Sequence, residues 1–205
     1  MSSPDVADAG QTAEFLAQKT LVLTAAIAVL SRGAAALTVR NVAQAAGCST
    51  TGVYTYFGSK NGLVDAMFIE SMTSFDGAIA QAEADLKVAG TAYRSWAISH
   101  PTQYQLLFGK AIPGFEPSEL AQTVAAQAFE RLADLVGGHD LALHVWATIH
   151  GYVSLELTTL GLPPRPNEHR GAGSDIGAGD HAASEQELVF QRGLDYLART
   201  LETET

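Results

Sequence analysis

Apolar residues recur at spacings of three and four along almost every periodic segment of the chain, which places them on one face of an α-helix. The sequence contains no run of alternating β-branched residues bounded by turn residues, so the pattern predicts an all-α protein. The first helix is expected over about residues 12–32, with Gly33 as a left-handed stop. Its predicted buried face is Phe15, Leu16, Leu23, Ile27 and Leu30.

Two short helices are predicted next, bounded by residues that start and stop helices. Serine and threonine side chains cap helix N-termini, and glycine is the usual residue at a left-handed end. A longer helix is expected after Ser59. The predicted bounding residues are Thr38 and Gly47 for the first short helix, and Ser49 and Gly58 for the second, Thr50–Phe57.

Two short helices joined by a glycine-containing turn, with longer helices on either side, form a helix-turn-helix. In such a unit the second helix lies in the DNA major groove, so its outer face has to be small and polar. Val53 and Phe57 are expected to turn inward. The residues expected on the outer face are Thr50, Thr51, Gly52 and Thr55.

A larger helical part is predicted from about residue 80. Its helices are expected over residues 82–99, 101–110, 118–136, 140–160 and 184–201. The last start is marked by Ser184 and Glu187, which form a capping box. Residues 161–183 are rich in glycine and proline and predict a long connection, whose order stays open. We therefore expect a helix-turn-helix domain over residues 1–60, with the start of the linking helix, and a helical domain over 61–205.

For DNA binding, the distribution of charge along the chain matters more than the net charge. The net charge is −10 at pH 7, which opposes binding to phosphate. Residues 1–70, however, hold four basic against five acidic residues, so this part is nearly neutral and could approach DNA. The apolar run 21–30 is too short to cross a bilayer and follows no basic region. With a single cysteine, Cys48, these features predict a cytoplasmic protein with no membrane partner.

Metal and catalytic chemistry have little support in the sequence. His139, His144 and His150 are five and six residues apart, which does not place a pair on one helical face. No nucleophile–base ordering, phosphate loop or paired carboxylates stand out. We expect no cofactor and no enzyme activity. Cys48 follows a turn next to a helix N-terminus, where it could serve as a redox sensor, although a small turn residue is the favoured interpretation.

The segment TVRNVAQAAGCSTTGVYTYFGSKNGLVDAMF, residues 38–68, resembles the DNA-binding segment of the TetR family of transcriptional repressors. Its helix-turn-helix is followed by a Tyr-x-x-Phe-x-x-Lys pattern and a Leu-rich helix. Tyr54, Phe57, Lys60 and Leu63 match these positions, whereas Cys48 stands where the family more often has valine. The resemblance implies a homodimer that binds a pseudo-palindromic operator in double-stranded DNA and is released by a small, largely apolar or aromatic effector.

A shorter segment, HVWATIHGYVSLEL, residues 144–157, is similar to the Trp-x-x-x-His-Gly element of the WHG ligand-binding domain found in some TetR relatives. Trp146, His150 and Gly151 carry this match. Gly151 is expected to mark a close helix crossing.

The resemblance implies three sets of functional residues. Packing or capping roles are the alternatives at single DNA-facing positions, core packing is the alternative for the aromatic residues, and closure of the monomer's own core is the alternative for the dimer stripe. The expected DNA-binding residues are Thr38, Arg40, Thr50, Thr51, Gly52, Tyr54, Thr55, Tyr56 and Lys60. The expected ligand-binding residues are Tyr93, Trp96, Tyr104, Phe108, Phe129, Trp146 and His150. The expected dimer residues are Val153, Leu157, Leu160, Phe190, Leu194, Leu197 and Leu201.

Two other classes stay open at this point: a helical enzyme with an aromatic pocket, and a dimeric interaction module without DNA binding. The resemblance favours a repressor, but the sequence alone does not exclude an activator. It names neither the effector nor the operator.

Overall fold

The computed structural model describes residues 4–81, 85–158 and 178–203, and their side chains over 12–81, 85–158 and 186–201. Every regular element in these ranges is helical, which confirms the all-α prediction. A short 3₁₀ turn, Ala34–Ala36, follows the first helix. The α-helices are α1 Pro4–Leu30, α2 Val39–Ala46, α3 Thr50–Phe57, α4 Lys60–Ala80, α5 Leu86–Ser99, α6 Pro101–Phe108, α7 Glu119–Val136, α8 His139–Glu156 and α9 Ala178–Thr203.

The two short helices begin and end where their capping residues predict. Asn41 donates its backbone N–H to Thr38 Oγ1 at 3.2 Å, and Gly52 donates to Ser49 Oγ at 3.0 Å. Gly47 ends α2 in the left-handed conformation, with φ 66°. Because these signals act within a few residues, they are readable from sequence.

Helix α1 differs from its prediction at its N-terminal end. It begins at Pro4, and Phe15 and Leu16 are 44% and 54% exposed rather than buried. The apolar repeat continues along the helix, but over residues 12–30, where the side chains of α1 are described, the first buried position is Val22. Within the described residues, the 19-residue stretch Thr12–Leu30 is longer than the predicted run 21–30 and, by length and composition only, could cross a membrane. A third of that stretch is buried inside the chain, and a core helix satisfies the same criterion.

The start of α9 also differs from its prediction. The helix begins at Ala178, so Ser184 lies inside it and does not mark its first turn. Alanine is the best helix former, and the alanines before Ser184 favour this extension. Of the predicted connection, residues 161–177 lie outside the described part of the chain.

The chain divides into two compact units, Met1–Ser74 with Thr102–Ala125, and Phe75–Pro101 with Ala126–Thr205. This division differs from the predicted boundary at residue 60. Helix α4 begins at that point, with Lys60, but its residues Leu63, Val64 and Met67 share one apolar core with α1, α2 and α3. Leu106 of α6 belongs to the same core.

In the second unit α5, α8 and α9 pack closely at two glycines. A Cβ atom built on Gly90 would lie 2.5 Å from a Leu194 methyl carbon, and one on Gly193 would lie 3.1 Å from the Tyr152 ring. By contrast, no described atom lies within 4 Å of a Cβ built on Gly151, so the prediction of a close crossing there was wrong within the described chain. Gly90 has that role instead.

A buried ion pair joins α5 to α8 in this unit. Arg94 donates from Nε and Nη2 to the two carboxylate oxygens of Glu156, at 2.8 and 2.6 Å. The two side chains are only 11% and 9% exposed. The guanidinium carbon also lies 5.7 Å from the ring centroid of Phe190 on α9. The arginine therefore connects three helices at one point.

Replacing Arg94 with methionine should destabilise the protein by about 3–5 kcal/mol, because Glu156 would remain buried without its partner charge. Urea unfolding followed by circular dichroism measures this change. Arg131→Met is the matched control, since Arg131 is 56% exposed and its bond to Asp76 lies at the surface; we expect a loss below about 1 kcal/mol. Equal losses in both variants would contradict the role assigned to the buried pair.

Candidate nucleic-acid interface and ligand site

Helix α3 presents a continuous polar arc to solvent. Thr50, Thr51, Tyr54 and Thr55 are exposed, whereas Val53 is buried, with only 1% of its surface exposed. At 100° per residue the four exposed positions fall within less than half of the helix circumference. The expected inward turn is seen for Val53, while Phe57 is only half-buried.

Gly52 lies at the edge of this arc in a helical conformation. A Cβ atom built there would be 3.5 Å from Ser49 Oγ, an ordinary contact. The chain's own packing therefore does not require glycine at this position. A requirement for glycine would have to come from something that approaches the helix.

The remaining predicted DNA residues lie on the flanks of the helix-turn-helix. Thr38 caps α2 and is exposed, as are Arg40 and Lys60. Tyr56 is half-buried, with its ring centroid 4.9 Å from that of Phe15 in an edge-on arrangement. All nine predicted DNA residues thus belong to the first unit. One of them, Tyr56, also packs against the apolar core of that unit.

The sequence interpretation missed Lys19 as part of this region. Its ammonium nitrogen lies 5.8 Å from the ring centroid of Phe57, although the two residues are far apart along the chain. No spacing rule could have paired them, because the contact depends on how α1 crosses α3.

Cys48 is half-buried and packs against the apolar core of the first unit. This contact agrees with the interpretation as a small turn residue, and the redox hypothesis stays untested. Over residues 12–81, 85–158 and 186–201, whose side chains the structure describes, no group of three or more His, Cys, Asp or Glu residues is placed to hold a metal ion.

The predicted ligand residues fall in both units. Tyr104 and Phe108 belong to the first, with ring centroids 5.1 Å apart. In the second unit Tyr93 and Trp96 are each 5% exposed and meet the Phe75 ring, at 5.0 and 5.2 Å. These two are core residues, which was the alternative interpretation.

The other ligand candidates of the second unit are half-buried. The Phe129 and Trp146 centroids are 6.3 Å apart, and Trp146 is 5.7 Å from the His150 ring. His150 Nδ1 lies 2.9 Å from the Tyr93 hydroxyl and Nε2 lies 3.3 Å from Ser154 Oγ. Burial lowers the pKa of His150 below its ordinary value of 6.5, which favours the neutral ring. A neutral ring can donate at one nitrogen and accept at the other.

The predicted dimer residues separate into two groups. Val153, Phe190 and Leu194 are 0–2% exposed inside one chain, so they close its own core and have no free surface for a partner. This corrects their assignment. Leu157, Leu197 and Leu201 are half-buried, and Leu160 lies outside the described residues.

A surface groove of about 470 Å³ runs between α8 and α9 of the second unit. No predicted ligand residue lines it, whereas the predicted dimer residue Leu197 does. Its lining residues are Thr148, Tyr152, Val189, Arg192, Gly193, Tyr196 and Leu197.

Comparison with protein families identifies both parts of the chain. A family model described as bacterial regulatory proteins, tetR family, matches residues 22–67, and one described as tetracyclin repressor-like, C-terminal domain, matches residues 86–170. Together they cover more than half of the sequence. This chain belongs to the TetR family. The family is one of bacterial regulatory proteins, and the WHG resemblance of this chain stays a prediction.

Individual relatives agree with this family. The HTH-type transcriptional regulator Rv1816 of Mycobacterium tuberculosis is 26% identical over 129 residues, which cover 56% of this TetR-family chain and 55% of the relative. The chain thus spans about half the length of that relative. The solved structure of regulatory protein SCO4313 is 22% identical, with a TM-score of 0.71 over 91% of this chain and 97% of the other. A TetR-like regulator from Rhodococcus sp. RHA1 has a TM-score of 0.50 at 22% identity, over 87% and 96%. The structural likenesses show the fold.

The pH dependence of stability should distinguish His150 from His139. Because the pKa of His150 is lowered in the folded chain, the unfolded chain binds the proton at a higher pH than the folded chain does. The free energy of unfolding therefore falls as the pH drops below about 6.5. The hydrogen bond and charge of Glu130 raise the pKa of His139, so its contribution is present below about 6.5 and is lost as the pH rises through the folded pKa.

Thermal unfolding from pH 5 to pH 8 measures both effects. His150→Gln should reduce the acid-side loss of stability, whereas His139→Gln should be less stable than the wild type at pH 5 and equal to it at pH 8. Parallel profiles for the two variants would contradict a buried neutral His150.

Proposed function

We propose that this TetR-family protein is a homodimeric repressor that binds operator DNA through α3 and is released by a small, largely apolar or aromatic effector. The observation that carries the proposal is the exposed arc Thr50, Thr51, Tyr54 and Thr55 on a capped helix of a helix-turn-helix. The second helix of this motif is the one that enters the major groove.

The chemistry of the arc suits base edges. A threonine hydroxyl can bond a base edge, and its methyl group can contact thymine. Thr55 Oγ1 donates to the Thr51 carbonyl at 3.0 Å, which leaves its methyl group and lone pairs for DNA. At Gly52, a missing side chain permits close approach of the backbone to the bases, which supplies a reason for the glycine that the chain's packing does not.

Phosphate contacts are proposed for Thr38 and Arg40 on one flank, and for Tyr54, Tyr56 and Lys60 on the other. Phosphate contacts position a protein on the duplex, whereas base contacts specify sequence. Because few of these groups are cations, affinity has to come from two subunits together. Two recognition helices would be about 34–36 Å apart and would match a pseudo-palindromic operator.

Selection of duplexes from a randomised DNA pool tests the proposed function. The wild type should retain a pseudo-palindromic sequence, and the Tyr56→Ala, Lys60→Ala double variant should bind it at least about tenfold more weakly, because phosphate contacts are lost. A gel mobility shift with the selected duplex, and with the DNA upstream of the protein's own gene, measures both. Equal retardation of wild type and double variant would contradict the site.

A matched pair of threonines provides the control for this experiment. Thr55 and Thr123 are both exposed, and each hydroxyl donates to the carbonyl four residues earlier, at 3.0 and 2.8 Å. Thr55→Ala should therefore weaken binding of the selected duplex and Thr123→Ala should not, while both variants keep the same stability.

The dimer surface is proposed to be the exposed side of α8 and α9, with a second copy of this chain as its occupant. After removal of the three core residues, Leu157, Leu197 and Leu201 remain from the predicted stripe. Leu155, Leu188 and Tyr196 add exposed apolar surface, at 49%, 55% and 69%. The open Gly151 and the groove between the helices give a partner helix room to approach.

Tyr196→Glu should convert the dimer to a monomer without loss of helix content, because a charge at a buried interface centre is strongly unfavourable. Sedimentation velocity and circular dichroism measure the two properties. Leu120→Glu on α7 is the control, since Leu120 is 63% exposed and lies outside the proposed surface. Dimers in both variants would exclude this surface.

The effector is proposed to bind beside Trp146, His150 and Phe129, the half-buried members of the aromatic set. The polar groups described there are His150 with two hydroxyls, and His139, whose ring centroid is 6.0 Å from that of Phe129. The charged groups nearby have partners of their own, since His139 is bonded to Glu130 and Arg94 to Glu156. We therefore propose an uncharged effector with at least one hydrogen-bonding group. It would release DNA only by binding the free conformation better than the DNA-bound one. A cytoplasmic location follows from the proposed contact with operator DNA.

A further inference from the structure

Two side chains on the exposed half of α1 contact the C-terminal end of α3. Phe15 meets the Tyr56 ring edge-on at 4.9 Å, and Lys19, one helical turn later, places its ammonium 5.8 Å from the Phe57 ring centroid. Residues four apart on a helix share a face. One face of α1 therefore lies along the end of the proposed recognition helix.

These contacts are not part of the buried core. Phe15 remains 44% exposed, and Val22 is the first buried side chain over residues 12–30 of α1. The apolar stem of a lysine can support a neighbouring ring, and its ammonium group is not needed for that support. The contact instead brings a cation to the surface of the helix-turn-helix.

Charge makes this lysine important. Residues 1–70 contain only four basic side chains, namely Lys19, Arg32, Arg40 and Lys60. In the part of the chain that the structure describes, Lys19 has no carboxylate within ion-pair distance. A cation over an aromatic ring at a partly exposed site is held only weakly, so the ammonium can turn to a phosphate at little cost.

We propose that Lys19 is a further DNA phosphate contact and that Phe15 is a positioning residue for the Tyr56 ring. This inference rests on the proposed operator binding and adds α1 to the interface. Lys19 extends the flank formed by Tyr56 and Lys60. Phe15 restricts the tyrosine ring to the orientation in which its hydroxyl is presented at that flank.

The salt dependence of binding tests the role of Lys19. Log K for the selected duplex should fall with log salt less steeply in Lys19→Met, by about 0.9 for each subunit, since each neutralised phosphate releases counterions. Methionine keeps the unbranched apolar stem on Phe57. Lys19→Arg should restore the wild-type slope, and Lys87→Met, which removes a cation of the second unit bonded to Asp195, should leave it unchanged. A merely structural lysine would leave the slope unaltered in Lys19→Met, which would overturn the proposal.

A double-mutant cycle tests Phe15. Phe15→Leu should weaken binding several-fold in the wild type and have no further effect in the Tyr56→Ala background, while thermal unfolding remains similar. Additive losses would overturn the positioning role. If the wild type retains no duplex from the pool, the operator proposal fails and this inference with it; a specific complex with unchanged Lys19→Met binding overturns the inference alone.

Discussion

The burial of Val53 is the constraint on which the DNA-binding part depends. Helix α3 has only eight residues, and an isolated helix of that length is unstable in water. Its shape therefore comes from the buried Val53, with Tyr56 and Phe57 packed beside it, from the cap of Ser49 and from the core that α1, α2 and α4 supply. Because Val53 fills the inner position, the opposite arc is obliged to face solvent. The same contact that stabilises α3 thus decides which side chains it presents.

In the second unit, an apolar stripe on α9 could belong to the chain's own core or to a dimer interface, and the stripe alone does not show which. Phe190 and Leu194 repeat with helical spacing, as both a core stripe and a dimer stripe would. Both residues belong to the chain's own core, since Leu194 meets α5 at Gly90 and Phe190 meets it at Arg94. Exposed residues elsewhere on α9, such as Tyr196, are then left for another protein. The proposed dimer surface therefore stays on the predicted helices, but three of the predicted residues lie on the inner face.

Local signals predicted the fold of the first unit well, whereas contacts between distant segments were beyond the sequence. Thr38 and Ser49 act on backbone groups three residues away, so they could be read in isolation. The Arg94–Glu156 pair, the bond from Tyr93 to His150 and the approach of Lys19 to Phe57 depend on helix packing. The starts of α1 and α9 were missed for another reason. A helix can extend beyond its buried residues and beyond a predicted cap wherever the flanking residues are good helix formers.

The acidic composition gives the two-subunit proposal its physical basis. With so few cations in residues 1–70, one helix-turn-helix gains little from counterion release. Linking two weak sites makes the second contact effectively intramolecular, and this gain disappears if geometry prevents both from binding at once. A regulator built in this way needs only a modest change in the separation of its recognition helices to lose DNA. Weak cationic contacts, which at first argue against DNA binding, would therefore make release by a small uncharged molecule easier.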